Sequence, residues 1–154
     1  WLDGDGGGLI AAPTDQSTGS QWGCSYGPSI PGADASEYLT GAQNTILIEA
    51  GCTTPGTAAD ICANLTLGGY NDWFLPSFAE LNAMYQYIGP GNTIAPGNTV
   101  ALGNVGGFAN RWYWSSTQFH NSSEYAWLQY FVVPTYQNYN NKGLYYHVRA
   151  VRAF

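Results

Sequence analysis

Residues 111–131 read RWYWSSTQFHNSSEYAWLQYF, a run of aromatic rings set among Ser, Thr, Asn and Gln with only two formal charges, Arg111 and Glu124. Rigid rings stack at little entropic cost and amides adapt their hydrogen bonds, so this mixture is the chemistry of a binding surface. Rings also lie against the apolar faces of sugars, whose hydroxyls suit Asn and Gln. The same composition continues in TYQNYNN at 135–141 and LYYH at 144–147.

Catalytic chemistry is not gathered in this way. His120 and His147 lack the spacing of a metal-ligand pair, no G-x-S-x-G or H-E-x-x-H occurs, and Ser115 and Ser116 have no base nearby in the chain. Asp3 and Asp5 open like a calcium loop. The twelfth position counted from Asp3 is Thr14, however, where such a loop needs an acidic bidentate ligand, so a Gly/Asp turn is expected instead. No enzymatic reaction, cofactor or metal is expected.

The 154 residues are 45% hydrophobic, 16% aromatic and 9% charged, with 20 Gly, which suits one loop-rich globular domain with a single core. Four Lys and Arg stand against ten Asp and Glu, for a net charge of −6. A partner held mainly through phosphates or sulfates needs clustered cations, so nucleic acid, heparin-like chains and anionic membranes drop out. No run approaches the roughly 18 apolar residues of a bilayer span, and insertion of this domain into a membrane is not expected. The chain starts at Trp1 as if part-way along a strand, so an upstream leader or stalk is expected. Scarce Lys, abundant Tyr, Asn and Gly, and the sequons at Asn64 and Asn121 suit an exported protein, extracellular or on a cell surface.

Cysteine use fits that compartment. Cys52 and Cys62 bracket CTTPGTAADIC, a short loop that a disulfide would close, leaving Cys24 over. The other reading is three unpaired thiols, since no C-x-x-C signals zinc or redox chemistry.

Elements must now position the rings. WLDGDGGGLIAAP at 1–13 reads as a hairpin, and residues 13–40 as an ordered polar surface loop. AQNTILIEAG (42–51) and GTAADICANLTLGG (56–69) carry apolar residues at helical spacing, and each stops at glycine, which suits a left-handed cap. A third helix starts at a capping box, Ser77 with Glu80, and buries Phe78, Leu81, Met84 and Tyr85. After a Gly/Asn/Pro loop at 89–110, everything from 111 onward is strand-like and is expected to form an antiparallel sheet. The class is therefore α+β, with two or three helices packed on one side of a sheet.

Period-two alternation divides that sheet. Trp127, Gln129 and Phe131 share one strand face and are assigned to the core with Trp73, Tyr113 and Trp114, which turns Leu128, Tyr130 and Val132 outward. Arg149 and Arg152 are expected to pair with carboxylates among Asp15, Asp72 and Glu80. Gln118, Phe119, His120, Asn121, Tyr125, Leu128, Tyr130, Val132, Tyr136, Tyr139, Asn141, Leu144 and Tyr145 then remain as the candidate ligand face, with Phe119, His120, Asn121, Tyr125, Tyr130, Tyr136, Tyr139 and Tyr145 as the expected ligand-binding residues. The bland alternative is that they only complete the second face of a small sheet.

GLIAAPTDQ (8–16), GYNDWFLPS (69–77), AELNAMY (79–85), GGFA (106–109), YWSST (113–117), AWLQYF (126–131) and VRAVRAF (148–154) resemble the C-terminal domain of the Legionella collagen-like adhesins, nearly end to end. The resemblance implies a C-type-lectin-like fold with a curled sheet, neighbouring chain ends and a ligand face on the last strands and loops. In outline it is similar to formylglycine-generating enzymes and to the variable proteins of diversity-generating retroelements. Those enzymes depend on a cysteine pair low in the chain, whereas the last 92 residues here hold no cysteine. The family's sulfated-polysaccharide ligands do not suit so acidic a chain. The expected function is a non-catalytic adhesin-like module at the C-terminus of a longer surface protein, binding a neutral glycan or a protein. The alternative is a self-assembling subunit of an extracellular appendage, a trimer or a polymer.

The capping box carries the first prediction: Ser77→Ala should lower stability by about 1 kcal/mol through loss of the cap without changing ligand binding. Denaturant midpoints beside a binding assay check this, and altered affinity at unchanged stability would contradict it.

Overall fold

The computed structural model describes residues 7–25, 27–92 and 103–154. Two short strands come first, β1 (Leu9–Ala11) and β2 (Ser17–Ser20), followed by helices α1 (Gly41–Gly51), α2 (Ala58–Ala63) and α3 (Phe78–Tyr87). Then come β3 (Trp112–Gln118), β4 (Tyr125–Tyr130), β5 (Tyr136–Asn141), β6 (Tyr146–Val148) and β7 (Val151–Ala153). The architecture is α+β, as expected. One sheet has the order β2-β6-β3-β4-β5, and β1 with β7 makes a second, two-stranded sheet.

Long-range pairing changes several local expectations. β1 pairs antiparallel with β7 at the far end of the chain, a partner that the expected hairpin at 1–13 does not include. The upstream arm, with Asp3 and Asp5, lies outside the described residues. The larger sheet is mixed, because β6 runs parallel to β3 at Tyr113 and His147. The 13–40 loop contains β2 and sends Trp22, fully buried, into the core. α1 runs out into extended backbone at Cys52, with no left-handed cap. α2 stops at Ala63, where the Asn64 side chain caps it on Asp60, and Gly68 and Gly69, both at positive φ, close a tight turn joining Leu67 to Tyr70.

Helices and loops cover the central strands of the large sheet on both faces, not on one side only as expected, while β5 stays exposed. Trp114 belongs to a cluster with Trp22, Ile48, Cys62, Leu75 and Leu128; its neighbour Tyr113, on the opposite face, packs with Phe74, Leu81, Tyr85, Phe108 and Phe131. Leu128 is therefore buried, at 1% exposure, rather than outward. Alternation separates the two faces of a strand but does not say which is covered, and here both are.

The arginines meet their expected carboxylates. Arg149 Nε donates to Asp15 at 2.7 Å, and Arg152 grips Asp72 with two bonds of 2.7 and 2.8 Å. Asp15 also accepts from the Tyr113 hydroxyl at 2.9 Å and lies 2.9 Å from His147 Nδ1. The cysteine expectation is overturned. The disulfide joins Cys24 to Cys52, and Cys62 is a buried free thiol whose pKa burial pushes up. Cys62 sits on the buried face of α2 with Ala58 and Ala59, while the end of α1 meets the 24 loop instead, a contact that sequence proximity does not reveal.

Glu80 takes a role beyond helix capping. Its buried carboxylate accepts from the N–H groups of Ser77 (2.7 Å) and Leu39 (2.8 Å), while Ser77 Oγ donates to Glu37 O at 2.7 Å. A Cβ on Gly41 would collide with that carboxylate, so glycine is required where α1 begins against it. Burial raises the Glu80 pKa against the opposing hydrogen bonds. Glu80→Gln would set an amide NH2 against one of those N–H donors and should cost about 1–3 kcal/mol, read from urea midpoints. An unchanged midpoint would mean that the carboxylate does not hold the 36–41 segment.

Candidate functional site

β4 and β5 pair in register, Tyr125 opposite Asn141, Trp127 opposite Tyr139 and Gln129 opposite Gln137, so these six side chains share one face. Phe119, just beyond β3, folds over them. Its ring stacks on Tyr139, with centroids 3.9 Å apart and planes 12° from parallel, and meets Trp127 edge-on at 5.6 Å. Phe78, the first residue of α3, supports Trp127 from beneath at 4.9 Å. Tyr125 meets Tyr139 at 5.9 Å and His120 meets Phe119 at 5.1 Å, which extends the cluster outward. Tyr139 is 42% exposed.

An amide strip borders the rings, two residues or roughly 7 Å further along the strands. Asn82 Oδ1 of α3 accepts from Gln129 Nε2 at 3.1 Å and from Gln137 Nε2 at 3.4 Å. Gln129 Nε2 also reaches Thr135 Oγ1 at 3.2 Å, and Thr135 Oγ1 donates to Tyr130 O. None of the side chains in this platform is a carboxylate, lysine or arginine.

What holds Phe119 in place is buried behind it. Its N–H donates to Tyr125 O at 2.9 Å, closing the 119–124 loop onto the start of β4. The preceding Gln118 is fixed three ways: its Oε1 accepts from Ile30 N–H (3.0 Å) and Lys142 Nζ (2.5 Å), and its Nε2 donates to Ser29 Oγ (2.6 Å). Lys142 is itself buried, 4.4 Å over the Trp22 ring, and no carboxylate pairs with it among the described residues. Burial alone lowers its pKa to about 8.

The candidate ligand residues do not form one surface. Phe119, His120, Tyr125 and Tyr139 come together, with Asn121 exposed in the adjoining loop. Tyr130 and Tyr136 are cross-strand partners on the opposite face, where Tyr130 stacks on Trp112 at 5.1 Å. Tyr145, 66% exposed, lies beyond the β5–β6 turn, close to Gly19 of β2. Gln118 is buried and belongs to the support. Of the residues assigned to the core by parity, Gln129 is fully buried and underlies the amide strip, whereas Trp127 proves to be the half-covered floor of the platform. Phe78, expected in the buried stripe of α3, is half-covered and belongs to the platform, and Asn82 and Gln137 carry no sequence signal of their own. One signal was available, since Tyr125, Trp127 and Gln129 share parity and so share a face.

Lys142 yields a pH test. The ordinary lysine value is 10.5 and the folded value about 8, so at neutral pH the folded state bears the cost of a buried charge, which is released as pH rises through that window. The wild type should therefore gain stability relative to Lys142→Met between pH 7 and about pH 9.5, in urea midpoints taken at each pH. Parallel profiles would mean that the ammonium is solvated.

No curated protein matches the chain. Residues 12–152, nearly its whole length, match the Lcl C-terminal domain family, and the chain belongs to that family.

Proposed function

We propose that the domain is a non-catalytic, adhesin-like recognition module of a surface protein, which binds a neutral glycan or a protein through the Phe119–Tyr139–Trp127 platform. The observation that carries this reading is the stacked Phe119–Tyr139 pair on its Trp127 floor, half open to solvent and bordered by the Asn82 and Gln137 amides, which the buried Gln129 holds from behind. Rings give a flat apolar contact that loses little entropy on binding, and the amides beside them satisfy hydroxyls or backbone groups. The absence of charged side chains from the platform, together with the net charge of −6, favours a neutral ligand over a sulfated one.

Membership of the Lcl C-terminal domain family supports placement on a cell surface. The Cys24–Cys52 disulfide fits an oxidising compartment, and no helix among the described residues is long and apolar enough to cross a membrane. A C-type-lectin-like fold is part of the same proposal. It is supported by the β1–β7 pairing that brings the ends together and by helices packed against a mixed sheet.

The test is a neutral-glycan array beside light scattering. Phe119→Ser with Tyr139→Ser should leave a folded protein, at a cost of about 1–2 kcal/mol for two half-exposed rings, and abolish binding. Tyr130→Ser with Tyr136→Ser, on the opposite face, should keep it. Full binding by the first double variant would place the site elsewhere. Polymers that the first variant dissolves, with no glycan bound by the wild type, would make the platform an assembly surface.

A further inference from the structure

An amide side chain carries a donor and an acceptor whose order its neighbours set, and beside the ring platform that order is fixed from one end. The Tyr130 carbonyl can only accept. It takes the single hydrogen of Thr135 Oγ1 at 2.7 Å, so whatever meets that hydroxyl oxygen must donate. Gln129 therefore turns Nε2 to it at 3.2 Å, and the second hydrogen of the same nitrogen goes to Asn82, 3.1 Å away, which must receive it on Oδ1. Gln137 closes the chain. Its Nε2 lies 3.4 Å from Asn82 Oδ1 and 3.5 Å from Gln129 Oε1.

Two groups are left over. Asn82 Nδ2 still has hydrogens to give and Gln137 Oε1 still has lone pairs, and neither meets a partner among the described residues. Gln129 is fully buried, whereas Gln137 is exposed and Asn82 half-covered, so the free donor and the free acceptor sit on the two members of the strip that solvent reaches. Both continue the rows that carry the rings. Asn82 is four residues beyond Phe78 on α3, about 6 Å along the helix. Gln137 is two residues from Tyr139 on β5, roughly 7 Å along the strand. The ring end and the amide end are thus about one sugar unit apart.

We infer, resting on the platform reading above, that the ligand is a neutral linear oligosaccharide, one sugar unit lying against Phe119, Tyr139 and Trp127 and hydroxyls of the next meeting Asn82 Nδ2 and Gln137 Oε1. A free donor beside a free acceptor selects by chemistry. Hydroxyls answer both, since each carries one hydrogen and two lone pairs. A sulfate or carboxylate has no hydrogen for Gln137 Oε1, and an ammonium has no lone pair for Asn82 Nδ2, so either ligand leaves one polar group of the site unpaired. A sugar chain repeats an apolar face and a rim of hydroxyls in every unit, which is the pairing that the rings and the amides present in turn. The strip therefore excludes charged glycans by its donor and acceptor order as well as by the charge of the chain.

Calorimetric titration of the whole chain with linear neutral trisaccharides of glucose, mannose and galactose, and with the cationic glucosamine trimer, tests this. The wild type should bind a neutral trisaccharide and discriminate against the cationic one. Asn82→Asp keeps an acceptor for Gln129 and Gln137 but replaces the free donor by a second acceptor, so it should bind the neutral sugar roughly tenfold more weakly and the glucosamine trimer more tightly. Gln86→Glu adds the same charge one turn further along α3 and should do neither. Gln137→Met removes the free acceptor and should also weaken neutral-sugar binding roughly tenfold at an unchanged melt, which decides the matter if Asn82→Asp does not fold. A wild type that binds none of the neutral trisaccharides, or Asn82→Asp and Gln137→Met proteins that bind them as the wild type does, would overturn the inference and leave a protein ligand on the rings. Neutral-sugar binding that survives Phe119→Ser with Tyr139→Ser would instead overturn the platform reading and this inference with it.

Discussion

A strand with rings on both sides, such as β3, has no face left for water, so every polar group along it has to find a partner inside the protein. The chain answers residue by residue. The Tyr113 hydroxyl donates to Asp15 on one face, and Trp114 Nε1 donates to Ser20 O on the other. Where the strand bulges beyond Trp114, Ser116 N–H reaches Pro76 O, Thr117 Oγ1 reaches Ala35 O, and Gln118 N–H reaches Ala33 O. The loops at 28–40 and 71–77 are thereby fastened to the strand that runs through the middle of the sheet, which is why so glycine-rich a chain holds a fixed shape.

The binding surface follows from the same constraint. With β3 enclosed and β4 covered on its Leu128 side, β5 is the strand exposed on both faces, and rings placed on it are the ones a ligand can reach. The buried Lys142–Gln118 bond joins the ends of β5 and β3, and this sets Phe119 over Tyr139 instead of leaving it in solvent. A charged amine without a counter-ion is a costly way to tie two strands. Here the Trp22 ring and the Gln118 carbonyl are what receive it.

Features governed by neighbours in sequence were legible: the Ser77–Glu80 capping box, the helix starts, the aromatic strands after 111, and the pairing of two scarce arginines with Asp15 and Asp72. Features governed by distant partners were not. Nothing near β1 in sequence points to its partner β7, whose Val151 pairs with Ala11 and Ala153 with Leu9. Cys52 looks towards Cys62, ten residues on, but joins Cys24 across the fold. The candidate face was legible as chemistry and not as geometry. Parity placed Tyr125 with Trp127, but only the β4–β5 register and the fold-back of Phe119 show that Tyr139 joins them while Tyr130 and Tyr136 face the other way.

On the proposed reading the ring platform, and not another aromatic patch, contacts ligand. Nitrogen-resolved NMR of the labelled protein, titrated with a panel of neutral oligosaccharides, tests it most directly. Shifts are expected at Phe119, Trp127, Tyr139 and the Gln137 side-chain amide, with Trp22, Trp114 and the Trp112–Tyr130 face unmoved. Shifts centred on Trp112, Tyr130 and Tyr136, or on Tyr145, with the platform silent would contradict it.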